Sequence, residues 1–328
     1  MSGHLFAVHL SDSVLQGSWL AGGFVVAAAL VAVSLWRVRD DEIPQIALLT
    51  AAFFVASSIH IRIGPSSCHL LLNGLVGVVL GRRAALAIAV GLALQWFLLG
   101  HGGITTLGIN TCVMLLPALA ASSVFQVLRG ANWLLRPWPR AALVASSAAG
   151  WLLSGVFSVA LVVNNGLRTT GRPELEDALA FALHPAVLAL AVAAGAAAAW
   201  LERRLRAPPE FALGLMIGEG TVLATVALHC GVLILGGTEN WTTTALAVLV
   251  LHLPIAAVEG LVVGFLVGYL AQVKPALLGL PAARVGPRSA VDERANVRPG
   301  LPGAAGPAAN GEPGPGPRDV RPVQGAAR

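Results

Sequence analysis

Apolar residues along this chain gather into long runs broken by short charged, polar or glycine-rich stretches, and the runs predict helices. Residues 17–36 form the first run: about 20 apolar residues at ~1.5 Å each cover the ~30 Å core of a bilayer. Arg37, Arg39, Asp40, Asp41 and Glu42 end it sharply. A second run, 44–59, ends at His60, Arg62, Gly64 and Pro65, which read as a loop. The run 68–81 is short for a crossing and carries Asn73, Gly74, Gly77 and Gly81. It predicts a short or re-entrant helix, tolerated at membrane depth only where protein or a water-lined cavity covers it. After Arg82 and Arg83 the run 84–99 returns, and a polar, glycine-rich stretch at 100–111 separates it from a run ending at Leu128. Runs at 141–163, 178–201, 211–235 and 243–270 complete the series. From Leu280 onward Pro, Gly, Ala and Arg follow one another without periodicity, which predicts a disordered tail.

This pattern predicts an all-α, polytopic integral membrane protein with about seven to nine transmembrane helices, one of them short or re-entrant. Composition agrees: 56% of the 328 residues are hydrophobic and 11% charged, which excludes an ordinary water-soluble domain. Three segments follow: an N-terminal segment at 1–16, a transmembrane domain at 17–278 and a cytoplasmic tail at 279–328. Lys and Arg set the orientation. With 68–81 counted as one short crossing, Arg37, Arg39, Arg82, Arg83, Arg129, Arg136, Arg140, Arg203, Arg204, Arg206 and Lys274 fall on one face, which the positive-inside rule assigns to the cytoplasm. Arg62, Arg168 and Arg172 are exceptions on the other face. Nine crossings then place the N-terminus outside and the C-terminus inside a cytoplasmic membrane.

Several function classes drop out. The net charge of +5 comes from arginines at run ends and in the tail, without the interleaved aromatic residues that single-stranded nucleic acid requires. No Walker motif or dinucleotide fingerprint precedes a helix, so any ATP is handled by another chain. Leu152-Leu153-Ser154-Gly155 lacks the first glycine of an intramembrane serine protease motif. No organic cofactor is indicated.

The chemistry concentrates on two histidines in Gly- and Ser-bordered segments beside the apolar runs: His9 in Val8-His9-Leu10-Ser11-Asp12 and His69 in Ser66-Ser67-Cys68-His69; His101, in the 100–111 stretch, falls on the same outer side. A polar ring beside apolar helices needs a partner, and a metal ion supplies one. His60, His184, His229 and His252 read as structural. Glu219 and Glu259 lie inside apolar runs, where an ionisable residue is a functional hypothesis by default; Glu259 reads as a packing or partner-contact residue.

Three segments carry a family resemblance. Val8-His9-Leu10-Ser11-Asp12 resembles the Met-His-Ile-Pro-Asp/Glu-Gly start of the CbiM/NikM family, the substrate-binding membrane components of energy-coupling factor transporters for cobalt and nickel. Ser67-Cys68-His69 with Asn73-Gly74-Leu75-Val76-Gly77 resembles that family's second histidine segment. The stretch from Gly100 to Thr111 is similar, almost residue for residue, to its His-Gly-Gly-Leu-Thr-Thr-Leu-Gly-Ala-Asn-Thr loop, and 252–260 resembles its last helix.

The resemblance implies a near-planar nitrogen site made by an N-terminal amine, an adjacent backbone nitrogen and two imidazoles. Here these map to Val8, His9 and His69, with Asp12, Asn110 and His101 around them and Asp12 and Asn110 orienting the ring nitrogens. Such a donor set suits Ni(II) and accommodates Co(II), the implied transported substrate. Implied partners are a transmembrane coupling subunit, two ATPase subunits and a small accessory membrane protein of the CbiN type; the transport component is not itself an enzyme. The sequence departs from the family in one respect, since its histidine is residue nine rather than two. Translation starting at Val8 restores the family's spacing. Removal of Met1 instead leaves Ser2-Gly3-His4, whose amine, amides and His4 imidazole fill a square plane without His69. A stand-alone metal channel or metal-sensing membrane protein is the alternative function.

Overall fold

The structure is a computed structural model, and it describes residues 9–59, 61–63, 66–167, 175–205 and 207–281. The predicted tail lies outside these residues from position 282 onward, and His60 also lies outside them. The chain folds as α1 (Gly17–Leu35), α2 (Ile43–Ser58), a two-stranded antiparallel ribbon of β1 (Ile61–Ile63) and β2 (Ser66–Cys68), α3 (Asn73–Leu80) and α4 (Ala84–Leu99). It continues through α5 (Leu107–Leu128), α6 (Pro137–Leu167), α7 (Leu175–Ala182), α8 (Pro185–Leu205), α9 (Pro209–Gly236) and α10 (Thr242–Val273). Apart from the ribbon, the described regular structure is helical. It contains seven stretches long and apolar enough to cross a membrane.

One of those stretches, Asn73–Leu99, is two helices that double back. A straight helix of that length would separate its ends by about 40 Å. Yet His69, just before α3, and His101, just after α4, have ring centroids 5.7 Å apart. The reversal is at Gly81–Arg83, where Gly81 adopts φ +55. Arg83 is buried there and caps the far end of α1: its guanidinium donates to the carbonyls of Ser34, Trp36 and Arg37 and pairs with Glu42. Carbonyls at a helix C-terminus carry the negative end of the dipole, so a guanidinium satisfies both their hydrogen bonds and their charge. The N–H of Arg39, helped by Arg83, holds the Glu42 carboxyl below its ordinary range.

Three boundaries differ from the sequence reading. The run at 68–81 becomes helical only at Asn73, because Cys68 ends a strand and residues 69–72 carry no regular structure. The polar stretch at 100–111 is already helical from Leu107. The run at 178–201 is broken into α7 and α8 at Pro185, whose missing N–H suits the first position of a new helix. At the other boundary the packed chain continues past 278, with Leu280 buried.

Packing divides the body into a tight core and an outer layer. The α9–α10 hairpin is zipped by small residues: a Cβ on Gly218 would lie 2.8 Å from Gly260 Cα, and one on Gly214 would lie 2.9 Å from Gly264 Cα. This close approach is the way membrane helices gain van der Waals contact when lipid is as apolar as they are. Helices α3, α4 and α5 pack on this hairpin around Val76, Ile88, Leu115, Val222 and Val226. Helices α6 and α8 form the outer layer, where Arg140 lies 3.5 Å from Glu202. Glu219 of α9 faces α6, accepts a hydrogen bond from Ser147 and lines a cleft with Ser146 and Trp151.

Candidate metal centre

Residues 9–16 are tied into the bundle from two sides. On one side the carboxamide of Asn110 accepts the Leu10 N–H at 2.9 Å and donates to the Leu10 carbonyl at 3.0 Å, which also accepts the Thr106 hydroxyl at 2.6 Å. Asp12 accepts the Thr105 N–H at 2.9 Å. On the other side Gln16 N–H donates to Gly236, and Thr238 N–H to Val14, both at 2.9 Å. Leu10, Val14 and Leu15 are buried with Ile109, Leu233 and Ala245. The segment is recessed. Ile109, next to Asn110, packs against Gly23, six residues or ~9 Å into α1.

The loop after α4 wraps onto this segment because its glycines permit it. Gly100 (φ +62) closes α4 by donating to Trp96, and Gly102 adopts φ +80. A Cβ on Gly103 would lie 2.6 Å from both Asp12 N and Cγ, so no larger residue fits there.

The outcome is a convergence of three imidazoles. His9 Nδ1 lies 3.2 Å from His69 Nε2 and 3.1 Å from His101 Nε2, and one ligand atom from each ring falls within 4.8 Å of the others. His9 and His69 are buried and stack at 20°, with centroids 5.0 Å apart; His101 is half-buried and meets His9 edge-on at 76°. Neighbouring nitrogens around a metal bound at ~2.1 Å sit about 3 Å apart, which the two short separations match. His69 Nδ1 lies 3.2 Å from the Leu70 carbonyl, a contact that keeps the proton on Nδ1 and turns the Nε2 lone pair into the cluster. Three imidazole donors suit Ni(II), Co(II), Cu(II) or Zn(II), and not Mg(II) or Ca(II), which prefer oxygen.

The expected site residues separate into four groups. His9 and His69 are brought together, whereas Val8 and His4 lie outside the described residues. His101, expected around the ligands, stands in the cluster itself as close to His9 as His69 does. Asn110 and Asp12, expected to orient ring nitrogens, act on backbone and loop instead: Asn110 fixes the peptide after His9, and Asp12 fixes the loop after His101. The Asn110 carboxamide thus spends its acceptor and a donor on the two backbone groups of one residue.

Sequence reasoning did not assign a site role to Glu259. Its buried carboxylate accepts the N–H groups of Leu71 and Leu72, each at 2.6 Å. The one signal for it was a carboxylate midway along an apolar helix. His252 donates within α10 to Val248, and His184 accepts the Ala186 N–H at the start of α8.

Comparison with known proteins places these features in context. The family described as "Cobalt uptake substrate-specific transmembrane region", CbiM, matches residues 9–193 and 182–277. A provisionally assigned metal transport protein of Haemophilus influenzae is 43% identical over 119 residues, covering 36% of this chain and 58% of that one. The cobalt transport protein CbiM of Geobacter sulfurreducens is 29% identical over 177 residues, covering 51% of this chain and 50% of its own. The chain thus spans about half the length of the curated relatives it matches. A crystal structure of a truncated transition metal transporter aligns over 80% of this chain and 97% of that one at 16% identity, with a TM-score of 0.44, too loose a likeness to carry an argument.

Proposed function

The chain belongs to the CbiM family of cobalt uptake substrate-specific transmembrane regions, and from that premise we propose that it captures Co(II) or Ni(II) as the membrane-embedded, substrate-binding component of an importer. The observation that carries this reading is the meeting of His9, His69 and His101 from three separate segments of the chain. In the proposal these imidazoles are the metal's protein ligands. The half-buried His101 forms the entrance, and the two buried rings form the floor. Neutral nitrogen donors select a borderline transition metal from the Mg(II) and Ca(II) that outnumber it.

The driving force comes from elsewhere. ATP hydrolysis by two separate ATPase subunits, transmitted through a transmembrane coupling subunit and aided by a small accessory membrane protein, reorients the loaded component. The cluster's end of the bundle faces outward and the Arg83 end faces the cytoplasm, in keeping with the arginines gathered there.

Radioactive nickel or cobalt accumulation tests the function. Cells expressing the chain with its coupling and ATPase subunits are expected to accumulate metal, and His9→Ala, His69→Ala and His101→Ala to reduce accumulation at least tenfold. Accumulation that proceeds equally without the ATPase subunits would overturn the ATP-driven reading and leave a stand-alone channel.

A further inference from the structure

We propose that Glu259 is the positioning residue for His69, holding the segment that carries this imidazole through two buried backbone hydrogen bonds; this rests on the metal reading above. Residues 69–72 lack regular structure and meet α10 at its middle. Backbone there cannot turn to water, and an unpaired N–H within hydrocarbon is strongly unfavourable. Glu259, fully buried on α10, accepts one N–H with each carboxylate oxygen, Leu71 on Oε2 and Leu72 on Oε1. The N-terminal end of α3 begins one residue later, at Asn73.

Geometry makes this a clamp on His69. Leu72 is held at φ +49, a left-handed conformation that is strained for a leucine and persists only when its surroundings impose it. Release of the two N–H groups lets Leu72 relax and withdraws the chain two residues after His69. Gly260 sets the height of the clamp, because a Cβ there would lie 2.8 Å from the Leu215 carbonyl, so α10 packs directly against α9. Asn73 is tied separately, donating at 2.9 Å to both Met114 O and Thr225 Oγ1. The start of α3 therefore has anchors of its own, and the loss of Glu259 acts mainly on 69–72.

A carboxylate suits this role and an amide does not. Glu259→Gln keeps the size but offers one acceptor, and turns an N–H₂ against one of the two N–H groups. Glu259→Asp keeps the charge and pulls it back by a methylene.

The test uses the full chain in lipid nanodiscs, with hydrogen exchange of the 69–73 backbone measured without metal and Ni(II) coordination measured by X-ray absorption. For Glu259→Gln, exchange at Leu71 and Leu72 is expected to rise at least tenfold. Its Ni(II) Kd is expected to rise about 10- to 100-fold, and one imidazole is lost from the metal. Glu259→Asp is expected to fold and to show both effects more weakly, so it carries the test if the Gln variant fails to fold. Unchanged exchange at 69–73, or faster exchange with every imidazole kept on Ni(II), overturns the proposal. Wild-type protein that binds Ni(II) without imidazole overturns the metal reading, while faster exchange in the variant would still uphold the clamp on the backbone.

Discussion

Asn110 holds Leu10 by both faces of its backbone, accepting its N–H at 2.9 Å and donating to its carbonyl at 3.0 Å. The residue before Leu10 is His9, so a side chain on α5 sets the position of an imidazole it was expected to touch. Asn110→Asp keeps the acceptor and removes the donor, setting a carboxylate against a carbonyl. The expected result is a rise of about tenfold in Ni(II) Kd; isothermal titration of the purified protein measures it, and an unchanged Kd contradicts the account.

Gly103 is where the loop after His101 passes against Asp12. In Gly103→Ala a Cβ lies 2.6 Å from Asp12 N and presses on the Asp12 carboxylate; the side chain can turn aside, but the backbone nitrogen cannot. The loop must lift, at a cost of about 1–3 kcal/mol. Metal affinity is expected to fall through His101, and His101→Ala in the Gly103→Ala background is expected to add little further loss.

Arg83 predicts a stability effect away from the metal. Arg83→Gln leaves the carbonyls of Ser34, Trp36 and Arg37 without their charged donor, an expected loss of about 3 kcal/mol. Thermal unfolding in detergent measures it. A pH dependence accompanies the pair: the Glu42 carboxyl is held below its ordinary 4.5, by the Arg39 N–H first and then by Arg83. A depressed carboxyl stabilises the fold above its unfolded value, and that contribution disappears as pH falls through the folded value. Wild type is therefore expected to lose stability on acidification below about pH 4.5, and Arg83→Gln to lose less over the same window.

The α9–α10 zipper predicts a steeper response to size. Gly218→Leu drives a side chain into Gly260, whose Cα lies 2.8 Å from the position of a Cβ. The helices must part, lowering the thermal midpoint more than Gly218→Ala does, and moving Glu259 with α10.

Much of this architecture was legible in the sequence because long apolar runs leave few choices. The bounds of α2, α9 and α10 fall within a few residues of runs read from hydropathy alone, and the reversal at Gly81–Arg83 coincides with the arginines that interrupt the pattern. His9 and His69 stood out because glycine and serine border their segments, whereas His101 was expected only around the site, since the fold of a glycine loop back onto residues 9–12 depends on contacts about a hundred positions apart. The start of α5 was hidden by polarity: Thr106 and Asn110 look like loop residues until Leu10 is placed beside them. The irregular 69–72 stretch was illegible for the same reason, because the N–H groups of Leu71 and Leu72 are satisfied by a carboxylate 188 and 187 residues away.

The central claim is that His9, His69 and His101 together hold the transported ion. X-ray absorption of Ni(II)-loaded wild type beside the three single alanine variants tests it most directly. The account predicts three imidazole scatterers in wild type and two in each variant. A wild-type spectrum without imidazole, or one that stays the same in His101→Ala, would contradict it.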